Sequence, residues 1–434
     1  MTQSSTRVRS RKQGTWTALS IAAVSLCFAH NTWAAGTAVG VQSARTTGMA
    51  SSVTGMIDDA SAIYSNPAGI AQGKRVEVLF GDTLIIPKLK FTSQATGNTA
   101  STSGVVPPFH LYATVGLTEA LSVGVGVFSP FGLAVKWPSD WEGRSLVTNS
   151  TLATYYINPT VAYRRGRVRL GAGLQLVRAT LDLQRKIRFG DQEGSSELGG
   201  DGWGVGANVG AQLEAVPQYL SFGVHYRSAV RLDFDGSAHF DNVPPPLAGT
   251  VHDQRASSSL TQPDSLAFGV ASHPIPALVI DVDVVWYGWK KTHAVAINFP
   301  DDQSGTLSSS MRKDWKNTVS LSVGGEAKVA ASWRVRAGVM YDPSPSPADT
   351  LTPETPDADR LNLALGVGYW QRSGFHADLG YQLILLFKKP STAPQLPGDY
   401  GGWVHILGIT LGYTTPSAAV PRETTAATPA GSDS

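Results

Sequence analysis

"LVIDVDVVWYGW", Leu278 to Trp289, alternates apolar and polar residues with a period of two. As a strand it puts Leu278, Ile280, Val282, Val284 and Trp286 on one face and Asp281 and Asp283 on the other. The run is longer than the roughly five or six residues usual in soluble strands. It ends in the aromatic cluster Trp286-Tyr287-Gly288-Trp289. One apolar face, one charged face and an aromatic end suit a strand with lipid on one side and a wet lumen on the other.

The pattern recurs. In "AVRLDFDG", Val230, Leu232 and Phe234 oppose Arg231, Asp233 and Asp235. In "WRVRAGVMYD", Trp333, Val335, Ala337, Val339 and Tyr341 oppose Arg334, Arg336 and Asp342. In "FHADLGYQ", Phe375, Ala377, Leu379 and Tyr381 oppose His376, Asp378 and Gln382. The apolar faces are assigned to lipid and the charged faces to the lumen. Short turns are read at 117–120, 164–167, 215–218, 273–277, 329–332 and 370–374. Long polar or Pro-rich loops are read near 88–108, 131–150, 185–202, 236–262, 299–313, 343–358 and 388–401. A soluble sandwich shares the alternation, but short turns alternating with long loops mark an outer-membrane barrel. Six short and seven long connections join about fourteen strands, with both chain ends on the periplasmic side. The expected fold is all-β: a transmembrane antiparallel β-barrel spanning 76–413.

The ends fit that compartment. Arg7, Arg9, Arg11 and Lys12 precede an apolar run from Trp16 to Ala29 and the triplet Thr32-Trp33-Ala34. Residues 1–34 read as a cleaved secretory signal. The single cysteine, Cys27, falls inside it, so the mature chain has no disulfide, thiolate metal site or cysteine nucleophile. The chain has 35 Lys+Arg against 33 Asp+Glu, and losing the four basic residues of the signal leaves 31 against 33, a net of −2. No basic face for nucleic acid is implied. Past the signal no apolar run reaches the roughly 18 residues of a membrane helix. Residues 414–434, rich in Thr, Ala and Pro, read as a disordered tail.

Enzyme chemistry finds no support. There is no G-x-S-x-G and no H-E-x-x-H, and the nine histidines are scattered. "DGWGVGANVG" lies inside a strand pattern with no helix after it, so it is not a phosphate loop. "GDQEGSSELGGDG" fails the EF-hand spacing. No cofactor and no metal are expected.

Residues 35–75 lack the alternation and contain "DDASAIYSNPAGI". They read as a small folded segment with a helical stretch near Met56 to Tyr64. Pro67 lacks an amide donor and biases Asn66 away from helix, while Asn66 can hold a turn through its side chain. On the residues alone, "SNPAG" also suits an ordinary cap and turn.

This motif, with the Ala35-Gly36 start, "LSVGVGVFSPFGLAVKW", "GWGVGANVGAQLE", "GVHYRSAVRLDFDG", "YDPSPSPADTLTPETPDADRLNLALGVGY" and "GWVHILGITLGY", closely resembles the FadL family of outer-membrane transporters for long-chain fatty acids and other hydrophobic compounds. The resemblance covers roughly Ala35 to Tyr413. It implies that 35–75 form a hatch inside the lumen, bearing the family motif at Asn66, Pro67 and Ala68. It implies a lateral opening in the third strand, matched here by Gly124 and Gly126, although interior strand glycine also suits close packing against the hatch. It implies that Asp357, Asp359 and Arg360 fix the hatch or line the ligand path, with a solvated loop edge as the other reading. Outer capture of ligand is assigned to Phe131, Leu133, Trp137, Trp141 and Leu146, which could equally pack the loops together. Arg169, Arg227, Arg231, Arg334 and Arg336 lie on polar faces and could meet a carboxylate, and alternation does not choose among them. The family pattern has a bulky apolar residue after the Ala-Gly start, where this chain has Thr37.

The function implied is passive uptake of long-chain fatty acids or similar molecules across a Gram-negative outer membrane, by a monomer in outer-membrane lipid, inserted by the barrel-assembly machinery. An importer of aromatic hydrocarbons and a non-specific diffusion porin are the alternatives.

Overall fold

The computed structural model describes residues 38–302 and 307–415. The signal, Cys27, Thr37 and the tail beyond Thr415 lie outside the described residues. Twenty strand segments join into fourteen antiparallel paths. These are β1 (Val76–Ser93), β2 (Thr99–Ser101 and Phe109–Gly116), β3 (Leu121–Phe128 and Gly132–Lys136), β4 (Asn149–Arg165) and β5 (Val168–Phe189). Next come β6 (Gln192–Val216), β7 (Leu220–Arg227 and Val230–Asp241), β8 (Gln254–Gln262 and Ser265–Ile275), β9 (Leu278–Tyr287 and Ala294–Asn298) and β10 (Ser309–Arg312 and Thr318–Lys328). The ring ends with β11 (Trp333–Asp342), β12 (Arg360–Trp370), β13 (Phe375–Ser391) and β14 (Gly398–Thr414). β14 pairs with β1 from Thr414↔Glu77 to Gly398↔Ser93 and closes the barrel. Closure removes the open sheet edge that hydrocarbon does not tolerate.

The burial of the wall is inverted relative to a soluble protein. In β9, Ile280, Val282 and Val284 are 38%, 37% and 40% exposed, while Asp281 and Asp283 are 0% and 1% exposed. β11 and β13 repeat this, with Trp333, Val335, Phe375 and Leu379 outside and Arg336, His376, Asp378 and Gln382 buried inside. The exposed apolar belt has lipid as its solvent.

Two expectations need correction. First, three of the long connections, 185–202, 236–262 and 388–401, are more ladder than loop. Residues 185–202 pair from Arg185↔Ser196 to Phe189↔Gln192, so β5 and β6 run on as a tall hairpin of 22 and 25 residues. About 9–11 residues cross a bilayer, so the rest stands outside it. Second, the faces of "AVRLDFDG" are reversed: Val230, Leu232 and Phe234 are buried inside, and Arg231, Asp233 and Asp235 are exposed. The interruption of β7 at Ser228–Ala229 explains it. Arg227 faces in before the break and Val230 faces in after it, an odd step that flips the two-residue period. β2, β3, β8, β9 and β10 are interrupted too.

Residues 38–75 pack against inward-facing groups of strands around the ring. The expected helix over Met56 to Tyr64 is only partly present: α1 is Ala44–Gly48 and α2 is Ala62–Ser65, followed by a 3-10 turn, Pro67–Ile70. α1 begins where Ser43 and Thr46 form a capping box. Asn66 caps the 3-10 turn with its side chain and Pro67 opens it.

What lets this segment fit is glycine in register on the wall. Gly171 pairs with Gly210, Gly223 with Gly269, Gly324 with Gly338, and Gly380 with both Gly366 and Gly408. A Cβ at these positions would meet the segment itself: Pro67 and Asn66 at the first pair, Thr54 and Gly55 at the second, Met49 at the third, and Ala44, Thr47 or Gly48 at the last three. Gly338→Val is expected to cost about 1–3 kcal/mol in urea unfolding of the refolded barrel, as overpacking does. Gly325→Val is the control, because its Cβ would meet only the Val279 carbonyl at 3.4 Å.

Candidate functional site

The inner segment is held on two sides by different chemistry. On the β9–β13 side the bonds are ionic. Arg45 is buried and bonds Asp58 at 2.7 Å, Asp59 at 2.8 Å and Glu326 at 3.1 Å. Glu326 also pairs with Arg336 at 2.6 Å, and Arg336 with Asp378 at 2.6 Å. Burial opposes the charge on Arg45, but Glu326, Asp58 and Asp59 hold its pKa well above the ordinary value. Asp283 Oδ2 accepts from the Val53 and Thr54 amides at 2.9 and 3.0 Å, and Asp281 Oδ2 from the Gly55 amide at 3.0 Å.

On the β6–β7 side the bonds are neutral or singly charged. Asn66 is fully buried and donates to the carbonyls of Thr54 and Ala211 at 3.0 and 3.1 Å. Its Oδ1 accepts from the Ala68 amide at 3.3 Å. Asn208 and Gln212 donate to the Ile63 and Ile57 carbonyls at 3.1 and 3.0 Å, and Arg227 to the Tyr64 carbonyl at 2.8 Å. Asn66-Pro67-Ala68 therefore sits where side chains of β6 and β7 tie the segment to the wall.

The third strand breaks at Ser129-Pro130-Phe131. Below the break β3 pairs with β2 from Gly116↔Ser122 up to Leu111↔Val127. Above it the Ser103 amide reaches the Lys136 carbonyl at 3.1 Å. Between these levels no β2–β3 backbone hydrogen bond joins the described residues, and the start of the inner segment covers the gap. The Val39 amide donates to the Pro130 carbonyl at 2.7 Å, and Ala38 bridges Phe131. Gln42 donates to the Ser129 carbonyl at 2.9 Å and accepts from the Ser129 amide at 3.1 Å, imitating a ladder pair with its side chain. Gly124 and Gly126 do not make the break. They sit in regular pairing with Thr114 and Tyr112, and a Cβ on either would meet Ile63 of α2 at 3.0 Å. They give α2 room.

Three hollows follow one another along the lumen. A groove of about 900 Å³ opens among the tall strands, with Leu146, Ile187, Phe189 and Phe240 on its walls and Arg185, Lys186, Arg188 and Arg312 around it. Next is an apolar pocket of about 70 Å³ lined by Leu133, Leu152, Leu181, Phe234 and Leu260, with Lys313 in its wall. Lys313 is 2% exposed and donates to the Thr352 and Thr355 hydroxyls at 2.8 and 3.0 Å. Among the described residues no carboxylate comes within 4 Å of its ammonium, although Glu354 shares the pocket wall. The third hollow, about 120 Å³, lies against Ala38–Val41 and Tyr64 and is lined by His225, Arg227, Tyr287 and Arg360.

The expected capture residues divide. Leu146 lines the outer groove and Leu133 the apolar pocket. Trp137 and Trp141 are buried and stacked at 4.5 Å, and their indole N–H groups reach the Pro353 and Val147 carbonyls at 3.0 and 2.9 Å. They pack loops rather than face a ligand. Phe131 belongs to the strand break. Of the acidic loop group, Asp357 is buried beneath the Ser344 hydroxyl, and Asp359 accepts from the Ser344 amide at 2.9 Å, so both fix the β11–β12 loop. Arg360 alone lines a hollow, paired with Asp342 at 2.8 Å. Gln42, Lys313, Trp289 and Trp315 were not legible in advance. Pro130, a proline inside an otherwise strand-like run, was the available signal for the break.

Comparison with known proteins agrees with this geometry. The family described as Outer membrane protein transport protein (OMPP1/FadL/TodX) matches residues 25–414. The long-chain fatty acid transport protein of Escherichia coli O6:H1 strain CFT073 is 24% identical over 388 residues, covering 80% of this chain and 86% of its own. The crystal structure of a Pseudomonas aeruginosa FadL homologue superposes with a TM-score of 0.79 at 19% identity, covering 87% of this chain and 99% of that one. The Ralstonia pickettii toluene transporter TbuX superposes with a TM-score of 0.68 at 16% identity, covering 86% and 98%. The likeness to these solved structures is one of fold.

Arg45→Met is expected to cost about 3–5 kcal/mol, because it strands buried carboxylates. Arg45→Met with Glu326→Met should recover part of that loss, read as the coupling in a double-mutant cycle of urea unfolding in lipid vesicles. Gln42→Leu removes the acceptor of the buried Ser129 amide, worth about 1–3 kcal/mol. Hydrogen exchange at that amide should speed up about tenfold or more.

Proposed function

Since the chain belongs to the outer membrane protein transport protein family (OMPP1/FadL/TodX) and is a multi-pass barrel of a Gram-negative outer membrane, we propose that it imports long-chain fatty acids by passive diffusion through its lumen. The observation that carries this reading is Lys313: a buried ammonium with hydroxyl partners, set in an apolar pocket directly below a wide groove edged with cations. A fatty acid brings a carboxylate that can bond the ammonium directly, which Glu354 in the same wall does not do within 4 Å, and methylenes to fill the pocket.

The cationic edge draws the anion from water, and the apolar walls of the groove take its chain. Each methylene buried contributes roughly 0.8 kcal/mol, so longer chains bind better. The carboxylate then pairs with Lys313 in a charge-assisted hydrogen bond. Departure requires the inner segment to move. Residues 38–75 act as the hatch, and Asn66-Pro67-Ala68 hold its movable side by neutral hydrogen bonds, whereas Arg45 anchors the other side by ion pairs. Release of Gln42 from Ser129 bares the gap between β2 and β3, and the ligand passes sideways into the bilayer. The barrel works as a monomer in outer-membrane lipid after insertion by the assembly machinery. A lumen filled by its own N-terminal segment disfavours an open diffusion porin.

Import of aromatic hydrocarbons is the second reading. Trp289 and Trp315 meet edge to face at 5.2 Å beside the apolar pocket, a lining that also suits a flat ring.

The test is uptake of radiolabelled oleate and of toluene by cells lacking their own transporter. The parent chain is expected to take up oleate, Pro67→Lys to abolish uptake while inserting normally, and Lys313→Met to raise the oleate concentration for half-maximal uptake about tenfold, the loss of one charge-assisted bond. Toluene uptake without oleate uptake would move the assignment to hydrocarbons.

A further inference from the structure

Four arginines are buried among the described residues: Arg45, Arg227, Arg336 and Arg360. Three of them have carboxylates. Arg45 bonds Asp58, Asp59 and Glu326, Arg336 bonds Glu326 and Asp378, and Arg360 bonds Asp342. Arg227 is 3% exposed and makes no ion pair within 4 Å among those residues. One Nη donates to the Tyr64 carbonyl at 2.8 Å, and the guanidinium lies 4.7 Å from the Tyr64 ring and 5.7 Å from the Phe128 ring. The other nitrogen, Nη1, is buried without an acceptor and belongs to a residue that lines the innermost hollow. Asp342 lines the same hollow but is engaged by Arg360 and by the Ser320 hydroxyl at 2.5 Å. A buried guanidinium without a counter-charge is costly, and aromatic faces offset only part of that cost.

Position gives this cation a use. Phe128 is the last residue of β3 before the break at Ser129, so Arg227 sits beside the foot of the gap. An aromatic chain links it to Lys313: Trp315 meets Trp289 at 5.2 Å, Trp289 meets Phe131 at 6.4 Å, Phe131 meets Tyr156 at 6.4 Å, and Tyr156 meets Phe128 at 5.9 Å. Along this lane two more buried donors lack acceptors, Trp315 Nε1 and Gln262 Nε2. Orphan donors between two buried cations, neither with a carboxylate within 4 Å among the described residues, and with aromatic walls, describe a path for an anionic head on an apolar tail.

We propose that Arg227 is a second carboxylate-binding station, which receives the head group of the ligand from Lys313 and holds it at the inner hollow before lateral release. The proposal rests on the reading of the chain as an importer of carboxylate-bearing amphiphiles. Because the same guanidinium grips the Tyr64 carbonyl, one residue ahead of Ser65-Asn66, arrival of the carboxylate also bears on the hatch. A second bond to Arg227 redirects the group that ties α2 to β7.

The test uses the full mature barrel in lipid nanodiscs with oleate carrying ¹³C in its carboxyl group. Lys313→Met silences the outer station. In that background one protein-bound carboxylate resonance is expected, ionised at a pH where oleate in empty nanodiscs is protonated. Adding Arg227→Gln should abolish it, and adding Arg227→Lys should retain it. Absence of the resonance in Lys313→Met, or its survival in Lys313→Met/Arg227→Gln, overturns the proposal. Should Arg227→Gln fail to fold, judged by heat-modifiable electrophoretic mobility, a carboxylate ¹³C to arginine ¹⁵N dipolar contact in the Lys313→Met protein decides instead, its presence supporting the station and its absence overturning it. Oleate bound by the parent only through Lys313 would leave the importer reading standing and remove this one, whereas a parent that binds neither oleate nor oleyl alcohol would remove both.

Discussion

A polypeptide backbone can lie close against the inside of a closed barrel where glycine leaves the wall without a side chain. Lipid forces the closure, because no backbone group may be left unpaired in hydrocarbon. Closure then fixes the lumen at a width that inward side chains would fill. Paired glycines on β5–β6, β7–β8, β10–β11 and β12–β14 clear the way at Asn66–Pro67, Thr54–Gly55, Met49 and Ala44–Gly48. Remove that clearance and the inner segment has no seat. Without the segment, the inner hollow loses one wall and the gap in β3 loses its cover.

The interruptions in the strands are the second organising device. β9 and β11 turn their apolar residues to lipid as they cross. The odd step at Ser228–Ala229 reverses that rule, so Leu232 and Phe234 turn inward once β7 has risen above the break. Of these, Phe234 lines the apolar pocket beside Lys313. The same chain thus offers grease to the bilayer in its lower half and grease to the lumen in its upper half. The break in β3 serves differently: it leaves backbone groups of Ser129 and Pro130 to be met by Gln42 and Val39, which belong to a part that can move away.

Alternation in β9, β11 and β13 was legible because period-two patterning is local and each strand carries it whole. The fourteen-strand count followed from the short turns, all six of which the structure contains as hairpins. The loops were misjudged because polar, glycine-rich sequence such as that around Gly194 to Gly202 forms strand readily when both neighbours are strands and water lies outside. For Trp137 and Trp141 the sequence leaves ligand capture and loop packing equally open, because aromatic side chains on a loop have no evident partner in sequence; the folded loops make their own core and bury them.

Sequence by itself determined the class of the molecule. A face of Ile280, Val282 and Val284 opposite Asp281 and Asp283, repeated between alternating short and long connections, points to a wall between lipid and a polar lumen, and that inference needs no strand pairing. It also marked Asn66-Pro67-Ala68, since proline and its cap act on their own backbone. Tertiary structure alone decided which cations are compensated. Arg227, Arg334 and Arg336 lie on polar faces of like pattern, but only the closed ring brings Asp378 to Arg336, the Trp370 ring to Arg334 at 3.9 Å, and no carboxylate to Arg227. Charge compensation depends on residues distant in the chain, and no local periodicity records which of them will meet.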